Sequence, residues 1–538
     1  MSIYLSEFQR LRSPLQGQNR QRIFVPYDQL TREIGPLKAA NPADIAVVLI
    51  ETTWKPRQRK YHKQKLAWIL ANQRHFALEL LEARIYVDYL FGDDDYGALL
   101  RPIAKEYGPI TMMKPAEFEL RRVLTPLVEE ELLDWLPHEG WLTSREDFQK
   151  SQKGKLPWRM DSFYRHLRKK TGYLMTAQGE PEGGQYSLDE ENRKFWSGEP
   201  KAPQIPRFEP SEITKEVGVL IEEKFGDHPG FLDLTRVVAT EAQARQFWEW
   251  AKKECMEHFG PFEDAMSTES RHLFHTLISP LLHLHRLLPR EVLEEALELQ
   301  IPLNSKEGFL RQVLGWREFM RHVYEETEGF EELPEGYKSN FLDVHYDLPQ
   351  AYWGKESGLL CLDEVVDTVV TEGYSHHITR LMVLANLATL LDIEPGQISE
   401  WFWVMYIDAY DWVVEPNVLG MGVFALGDLF TTKPYVSGSN YIDKMSDYCK
   451  SCQFSPSKDC PIKDLYWAFL ARHEEKLKAQ GRMNLMLGML RRRSETNRHD
   501  DALTFELVHQ FLREERPLTP ASLQEARDQK KDKTQESS

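Results

Sequence analysis

Residues 373–393 read GYSHHITRLMVLANLATLLDI, and residues 400–422 read EWFWVMYIDAYDWVVEPNVLGMG. In the first stretch, apolar side chains between residues 378 and 391 recur at the i, i+3, i+4, i+7 spacing of an amphipathic helix. Residues 290–299 and 362–370 show the same spacing. The sequence therefore predicts a large, nearly all-helical C-terminal domain over residues 213–516.

The first 145 residues carry a different pattern, in which short apolar runs alternate with helix. Runs at residues 22–25, 46–50 and 85–90 predict strands, and a helical pattern over residues 63–81 joins the last two. Strand, helix and strand in this order predict a parallel sheet covered by helices. We therefore expect an α/β, Rossmann-like domain over residues 1–145, although no G-x-G-x-x-G motif marks a standard dinucleotide site.

Two further segments complete the predicted organisation. Residues 146–212 are expected to connect the domains, because from about residue 176 Gly, Pro and acidic residues replace the helical periodicity. Residues 517–538 are polar and charged and end in RDQKKDKTQESS. They are predicted to form a disordered tail.

Composition and charge exclude several classes of protein. Of the 538 residues, 41% are hydrophobic and 28% are charged, which is typical of a globular chain. The mean hydropathy is −0.52, and no apolar run reaches the ~20 residues of a membrane span. The N-terminus, MSIYLSEFQRLR, lacks an apolar signal core, so we expect a cytoplasmic protein without a membrane segment.

The net charge of −17 argues against a polyanion-binding surface that covers the whole protein. Any contact with nucleic acid would need a local basic groove. Two stretches concentrate positive charge: six Lys and Arg residues between Lys55 and Lys65, and three Arg at residues 491–493. Each stretch fits a solvated basic face equally well.

Four of the five cysteines have the spacing of metal ligands. Cys449 and Cys452 form a C-x2-C motif, Cys460 follows, and Cys361 lies 88 positions before Cys449. Four thiolates can complete either a tetrahedral zinc site or the corners of an iron–sulfur cube, and the spacing alone leaves both open. Cys255 stands apart and is expected to be an ordinary, partly buried thiol.

Together with residues 431–452, TTKPYVSGSNYIDKMSDYCKSC, the two stretches quoted first resemble the iron–sulfur bacterial cryptochromes and photolyases, also called prokaryotic (6-4) photolyases. Further matching pieces extend the resemblance over about residues 20–485: YDQL, HKQK followed by RHF, FYRHLRKKTGYLM, GGQYSLDEENR, GPFEDAM, GWREFMR and CPIKDLYW. The resemblance implies the cryptochrome/photolyase fold, with an N-terminal α/β antenna domain and a C-terminal helical domain that holds FAD in a U-shaped conformation.

The resemblance also implies which residues bind cofactors. A [4Fe-4S] cluster would be held by Cys361, Cys449, Cys452 and Cys460, which favours the cluster over zinc. The family's antenna is 6,7-dimethyl-8-ribityllumazine, and Asp28 and Glu51, at the carboxyl ends of predicted strands, match its binding site best. The FAD phosphates would meet the run His275, Thr276, Leu277, Ile278 and Ser279, while an ion pair beside the isoalloxazine would consist of Arg380 and Asp408.

Other residues match the family's photochemistry. Trp401 and Trp353 correspond to electron-relay tryptophans, Tyr441 is a candidate further station, and Trp403 is assigned to the core. His377 corresponds to the catalytic histidine that donates and accepts a proton during repair. His376 and Tyr435 are expected beside the lesion.

The resemblance therefore implies light-driven repair of (6-4) photoproducts in UV-damaged DNA by a monomeric enzyme. The alternative is a blue-light cryptochrome photoreceptor with little or no repair activity. It stays open because of the residues near flavin N5. The family commonly has an acidic residue there, just before a Pro-Asn pair. This chain reads Val414, Glu415, Pro416 and Asn417, and it departs from the family if Val414 is the residue that faces N5. A light-independent iron–sulfur DNA-binding protein is a third interpretation, which the retained flavin motifs disfavour.

Overall fold

A five-stranded parallel sheet organises the N-terminal domain. The computed structural model describes residues 2–479 and 481–536, with side chains as far as residue 530. The strands lie in the order β3-β2-β1-β4-β5. Their bounds are Gln21–Phe24 (β1), Ile45–Thr52 (β2), Tyr86–Gly92 (β3), Ile110–Met113 (β4) and Leu133–Leu136 (β5). The predicted α/β domain with a parallel sheet is thus confirmed.

The sheet is buried because helices cover it. In β2, residues 46–49 are completely buried, as expected for a strand that is enclosed on both faces. The N-terminal helices are Ile3–Arg12, Gly35–Ala39, Trp54–Gln58, Lys63–Glu82, Tyr96–Tyr107 and Phe118–Glu129. The chain order reverses on either side of β1, which pairs with both β2 and β4. Ligands of open α/β sheets bind beside the carboxyl ends of the strands at such a point.

The predicted connector contains two helices before it becomes irregular. Arg145–Gln152 and Met160–Thr171 are α-helical, and 3-10 turns follow at Glu182–Gly184 and Asp189–Glu191. The irregular part is fixed to the helical domain, since the Asn192 amide donates to the Glu263 carboxylate at 2.8 Å. The side chain of Trp196 is also buried.

The C-terminal domain is helical, as predicted. Its α-helices are Glu212–Phe225, Glu241–Glu254, Met256–Phe259, Ser279–His283, Pro289–Glu298, Leu303–Leu310, Glu318–Glu326, Leu360–Glu372, His377–Thr379, Asn386–Leu390, Pro395–Met405, Asp411–Glu415, Ser439–Met445, Tyr448–Ser451, Pro461–Arg472, Glu474–Lys478, Asn484–Arg491, Glu495–Arg513 and Pro520–Glu536. Short 3-10 turns lie at Leu234–Arg236 and Gln350–Trp353, and wider π-helical turns lie at Arg311–Arg317, Arg380–Ala385 and Pro416–Gly422. Within the described residues, no helix is both long and apolar enough to cross a membrane.

The C-terminal segment differs from the disordered tail that the sequence predicts. Residues Pro520–Glu536 form a helix, and the side chains of Leu518 and Leu523 are buried. The Leu518 amide donates to the Ser357 carbonyl at 2.8 Å, so the segment is tied to the helical domain. The sequence analysis missed these two buried leucines because the segment around them is polar in composition. Residues 537–538 of the predicted tail lie outside the described part of the chain.

Candidate functional site

A cavity of about 300 Å3 lies inside the helical domain. All residues of the predicted FAD-phosphate segment line it, and so do both members of the predicted ion pair and the predicted catalytic histidine: His275, Thr276, Leu277, Ile278, Ser279, Arg380, Asp408 and His377. Three separate stretches of sequence therefore meet at one cavity. Val414 also lines this cavity, whereas Glu415, the acidic residue directly before Pro416, is not among its lining residues.

Arg380 and Asp408 form a two-bond ion pair at the cavity. Both guanidinium–carboxylate distances are 3.0 Å, and the Ser279 hydroxyl donates to the same carboxylate at 2.6 Å. Burial opposes ionisation of Asp408, but the charge and hydrogen bonds of Arg380 outweigh it and lower the Asp408 pKa. The Arg380 guanidinium also lies over the Tyr406 ring, 4.1 Å from its centroid. The pair is therefore a fixed, charged feature of the cavity wall.

The phosphate segment enters the cavity as an irregular turn. Leu277 has a left-handed backbone, with φ of 53°, just before the five-residue helix Ser279–His283. The helix is too short to act as a strong dipole, and the Ser279 hydroxyl is already engaged by Asp408. Backbone amides and the Thr276 side chain of this turn are the remaining groups that face the cavity as candidate anion ligands.

Three histidines lie beside the cavity. The rings of His275 and His376 stack at 4.3 Å with an angle of 12°, and both side chains are buried. Burial, with neighbouring cations, lowers the pKa of each well below the usual value, so both are neutral near pH 7. Ligand nitrogens of this pair and of His377 lie within 4.8 Å of one another.

His377 is the histidine that solvent and substrate can reach. Its side chain is 41% exposed, whereas His376 is 1% exposed. Its Nε2 lies 3.9 Å from the carboxylate of Asp264, and Tyr441 donates to the same carboxylate at 3.0 Å. The sequence analysis missed Asp264, although the motif GPFEDAM contains it. Tyr441, which was predicted as an electron-transfer station, is thus placed in a hydrogen-bonded chain with Asp264.

Tyr435 does not belong to the set of residues that line this cavity. It is half-buried, and burial together with the nearby Asp189 carboxylate raises its pKa. Its predicted place beside the lesion therefore stays a prediction.

The predicted relay tryptophans lie at increasing distance from the cavity. Phe402 and Tyr406 line it, and the Trp401 ring lies 5.1 Å and 6.0 Å from their ring centroids. Trp401 is fully buried and its indole N–H donates to the Tyr352 carbonyl at 2.8 Å. Trp353, the next residue in the chain after Tyr352, is 42% exposed. Ring contacts thus connect the cavity with Trp401 and, at 5.4 Å, with Tyr352, the residue before the exposed Trp353.

Local sequence fixes the position of Trp401. The helix Pro395–Met405 begins with proline at its first position, where no backbone N–H is needed. The Glu394 side chain accepts hydrogen bonds from the backbone N–H groups of Gly396 and Gln397, which would otherwise lack a partner. A helix that begins at a defined residue places each of its side chains at a defined angle, and Trp401 faces Tyr352 and the core.

The four predicted cysteine ligands meet around one small void. Cys361, Cys449, Cys452 and Cys460 all line it. A tetrahedral zinc ion with Zn–S bonds of about 2.3 Å needs sulfurs about 3.8 Å apart. Among the described residues, no three of these cysteines have their sulfurs within 4.8 Å of one another. The wider spacing fits a multi-atom cluster between the thiolates better than a single zinc ion. Cys255 lies outside this void and is fully buried, whereas partial burial was predicted.

A second cavity, of about 340 Å3, lies between the sheet and the helical domain. Its walls come from the carboxyl ends of β1, β2 and β3, from the helix Lys63–Glu82 and from residues 403–410. Aromatic rings of Tyr27, Tyr96 and Tyr410 and several aliphatic side chains give it a largely apolar surface. The site lies where ligands of α/β sheets bind.

The two predicted antenna residues have different positions. Glu51 lines the second cavity, but both of its carboxylate oxygens are occupied by Arg74, at 2.7 and 2.9 Å. Asp28 is buried and is not among the residues that line the cavity. Burial raises the pKa of Asp28 to about 7. Its role as a direct ligand contact is therefore not supported by its position.

The walls of the two cavities have one residue in common. Asp408 lines the first cavity, Tyr410 lines the second, and Ala409 lines both. A ligand in either cavity would thus contact the same short segment of backbone.

The predicted basic stretches are largely neutralised in the structure. Of the stretch between Lys55 and Lys65, Arg59 contacts Glu119 and Glu400, and the exposed Lys60 contacts Asp227. Lys55 and Lys65 themselves are buried. In the second stretch, the two outer arginines pair with Glu474 and Asp501. Neither stretch therefore forms an unpaired basic groove.

A parallel α/β domain beside a helical domain is the fold of the photolyases and cryptochromes. A family model described as deoxyribodipyrimidine photo-lyase-related protein matches residues 23–237. A (6-4) photolyase from Agrobacterium fabrum is 33% identical over 498 residues, which cover 89% of this chain and 97% of that protein. The chain belongs to the bacterial photolyase and cryptochrome family.

Solved structures show the same fold. A bacterial class III photolyase from Agrobacterium tumefaciens aligns with a TM-score of 0.57 at 15% identity, covering 92% of this chain and 98% of that one. A cryptochrome from Synechocystis aligns with a TM-score of 0.53 at 15% identity, covering 89% of this chain and 100% of that one. The predicted fold class is confirmed, and membership of the family implies FAD as a cofactor.

Proposed function

We propose that this protein repairs (6-4) photoproducts in DNA by light-driven electron transfer. The observation that carries the proposal is the placement of His377, half-exposed at the mouth of a cavity whose wall holds the buried Arg380–Asp408 pair. The related (6-4) photolyase, similar over nearly its whole length, supports the same reaction. A damaged base that leaves the duplex would meet His377 before it meets the buried His275 and His376.

FAD fits the first cavity. The cavity offers a fixed ion pair, an irregular turn at residues 275–279 and the unpartnered, buried Nε2 of His275. Arg380 and Asp408 would hold the ring system, and the segment of residues 275–279 would hold the phosphates. When bound and reduced, FAD would supply the electron that light drives into the lesion. Trp401 and Trp353 would restore electrons to the site from the surface.

His377 would manage the proton of the reaction. Opening of a (6-4) lesion moves a hydroxyl group from one pyrimidine to the other, which requires a proton donor and acceptor. An imidazole titrates near neutral pH and can perform both tasks at Nε2. The Asp264 carboxylate lies 3.9 Å from that nitrogen. His376 would support the site through its stack with His275.

We also propose that the four cysteines hold a [4Fe-4S] cluster. Their wide spacing around one void supports a cluster over zinc. Cys361 lies on the helix Leu360–Glu372, whereas the other three lie between residues 449 and 460. The cluster would therefore tie the C-terminal segments to the flavin domain, which is a structural role.

The second cavity is proposed as the site of a 6,7-dimethyl-8-ribityllumazine antenna. Its tyrosine rings and aliphatic walls fit a flat heteroaromatic ligand, and its wall at Ala409 is shared with the first cavity. Energy absorbed by a pigment there would have a short path to the flavin site.

DNA is proposed to bind on the face that carries His377. Since the two basic stretches of the sequence are paired, other cations must contact the phosphates. Lys433 is exposed, lies two residues before Tyr435 and forms no ion pair with any described residue. It is one candidate for a phosphate contact.

The alternative function is a blue-light photoreceptor that does not repair DNA. Val414, an apolar residue at the wall of the flavin cavity, is the observation that favours it. One experiment separates the two functions. Purified, reduced protein is illuminated with a defined (6-4) oligonucleotide, with a dark sample and a cyclobutane-dimer oligonucleotide as controls. Light-dependent restoration of intact pyrimidines from the (6-4) substrate is expected, whereas no restoration would contradict the proposal and favour the photoreceptor.

A further inference from the structure

Lys65 is a buried cation in the wall of the second cavity. Its side chain lines the cavity, and the residue is 4% exposed. The ammonium group donates to the carbonyl oxygens of Trp403, at 2.8 Å, and Ala409, at 2.6 Å. Lys65 belongs to the sheet domain, so these two bonds fasten it to the segment that separates the two cavities.

The charge of Lys65 is not balanced by a carboxylate. Among the described residues, no Asp or Glu oxygen lies within 4.0 Å of its ammonium nitrogen. Lys55, the other lysine beside it in the cavity, has Glu117 at 2.7 Å and Glu119 at 3.2 Å. Burial, with the nearby Lys55, lowers the pKa of Lys65 well below its usual value. The protonated form of Lys65 is costly in such a place, and an acceptor that enters the cavity would offset that cost.

An ammonium group has three N–H donors, and the protein accepts two of those of Lys65. The third has no acceptor among the described residues. The rest of the nearby wall consists of the Tyr61 ring, 4.7 Å from the nitrogen, and of aliphatic side chains such as Leu66 and Ile69. Lys65 therefore offers a buried donor beside ring and aliphatic surfaces that suit a flat, apolar ring face.

We propose that Lys65 selects and orients the antenna pigment by donating its third N–H to a carbonyl oxygen of the pigment's pyrimidinedione ring. The proposal rests on the antenna assignment made above and adds its recognition element. A flat heteroaromatic ligand that presents a carbonyl edge to Lys65 and its ring faces to the tyrosines satisfies both features of the cavity. A ligand without an acceptor at that edge would leave a buried cation incompletely solvated.

The test compares the wild type with Lys65→Met, which keeps the length of the side chain and removes its charge and donors. Lys63→Met is the matched control, because Lys63 lies on the same helix, pairs with Glu222 and does not line the cavity. Antenna-free protein is titrated with 6,7-dimethyl-8-ribityllumazine by fluorescence. We expect Lys65→Met to weaken binding roughly tenfold to a hundredfold, as for loss of a charged hydrogen bond, and Lys63→Met to bind like the wild type.

A vibrational spectrum separates a hydrogen bond from a merely structural role. In pigment labelled with 13C at its carbonyl carbons, one carbonyl stretch is expected to move to higher frequency in Lys65→Met at saturating pigment. Lys65→Gln, which keeps a neutral donor, should give an intermediate frequency and serves if Lys65→Met does not fold. Equal affinity and an unchanged carbonyl stretch in either variant would overturn the proposal for Lys65 while leaving the antenna assignment intact. Failure of the wild type to bind the pigment would overturn both.

Discussion

The guanidinium of Arg380 and the carboxylate of Asp408 form two hydrogen bonds of 3.0 Å each across the wall of the flavin cavity. This contact connects the helical segment that follows His377 with the residue next to Ala409, which borders both cavities. The Ser279 hydroxyl joins the same carboxylate, so the phosphate segment is included. The three parts of the proposed flavin site are thus held together by one carboxylate.

Replacing Asp408 with Asn should therefore remove flavin from the protein. Arg380 would remain largely buried without its anion, a change that costs about 3–5 kcal/mol at fully buried pairs and less at the quarter-exposed Arg380 side chain. Flavin content is measured from absorbance after denaturation, and thermal unfolding reports stability. Asp443→Asn, on the helix Ser439–Met445, is the control. Full flavin occupancy in Asp408→Asn would show that the pair does not hold the cofactor.

Photoreduction should depend on Trp401 and Trp353. Phe at either position keeps most of the ring volume and removes the oxidisable indole, so folding and flavin content should be retained. Flavin reduction under blue light with an external thiol is expected to slow at least tenfold in each variant. Trp250→Phe, a partly buried tryptophan next to Phe247 and distant in sequence, is the control. Wild-type rates in both relay variants would place the electron path elsewhere.

The protein is expected to contain about four iron atoms per chain, as a cubane held by four cysteines requires. Cys449→Ser should give cluster-free or insoluble protein, whereas Cys255→Ala should keep its iron because Cys255 lies outside the void. Iron and zinc are measured by elemental analysis after anaerobic purification. Zinc at one atom per chain would refute the cluster assignment.

The buried Asp28 should make stability depend on pH. Its pKa of about 7 in the folded protein, raised by burial, exceeds the value of about 3.9 in an unfolded chain. The folded state therefore holds this proton more tightly, and its contribution to stability is complete below pH 4 and is lost as the pH rises through 7. The loss is on the order of 4 kcal/mol at most.

Asp28→Asn removes this dependence. The melting temperature of the variant relative to wild type should rise between pH 5 and pH 8, because only the wild type acquires a buried charge. The exposed Asp44→Asn should show no such trend. A constant difference across this range would mean that Asp28 titrates normally.

Local patterns predicted much of this architecture. The apolar run of β2 and the periodicity of residues 63–81 correctly predicted a strand and a helix, which the structure has at Ile45–Thr52 and Lys63–Glu82. The strands β4 and β5 were missed, although β1, which is also four residues long, was predicted. The helix after Pro520 was missed because only a few apolar anchors tie it to the protein.

The sequence also identified only some of the site residues. The family resemblance identified residues that line the proposed flavin cavity, but it did not identify Asp264 or Lys65. The role of Asp264 depends on its distance to His377, and that of Lys65 depends on carbonyl groups more than 300 residues away in the chain. Charge counting was misleading for the same reason, since the carboxylates that neutralise Arg59 and Lys60 come from distant segments.

The central claim is that His377 supplies the proton in light-driven repair of (6-4) lesions. The most direct test measures repair of a defined (6-4) oligonucleotide by illuminated wild type and by His377→Ala, at fixed salt and with binding to the same oligonucleotide measured in parallel. The account predicts that the variant keeps flavin, photoreduction and lesion binding but loses repair by at least a hundredfold, because only the transition state needs the proton. Repair by His377→Ala at the wild-type rate would contradict it.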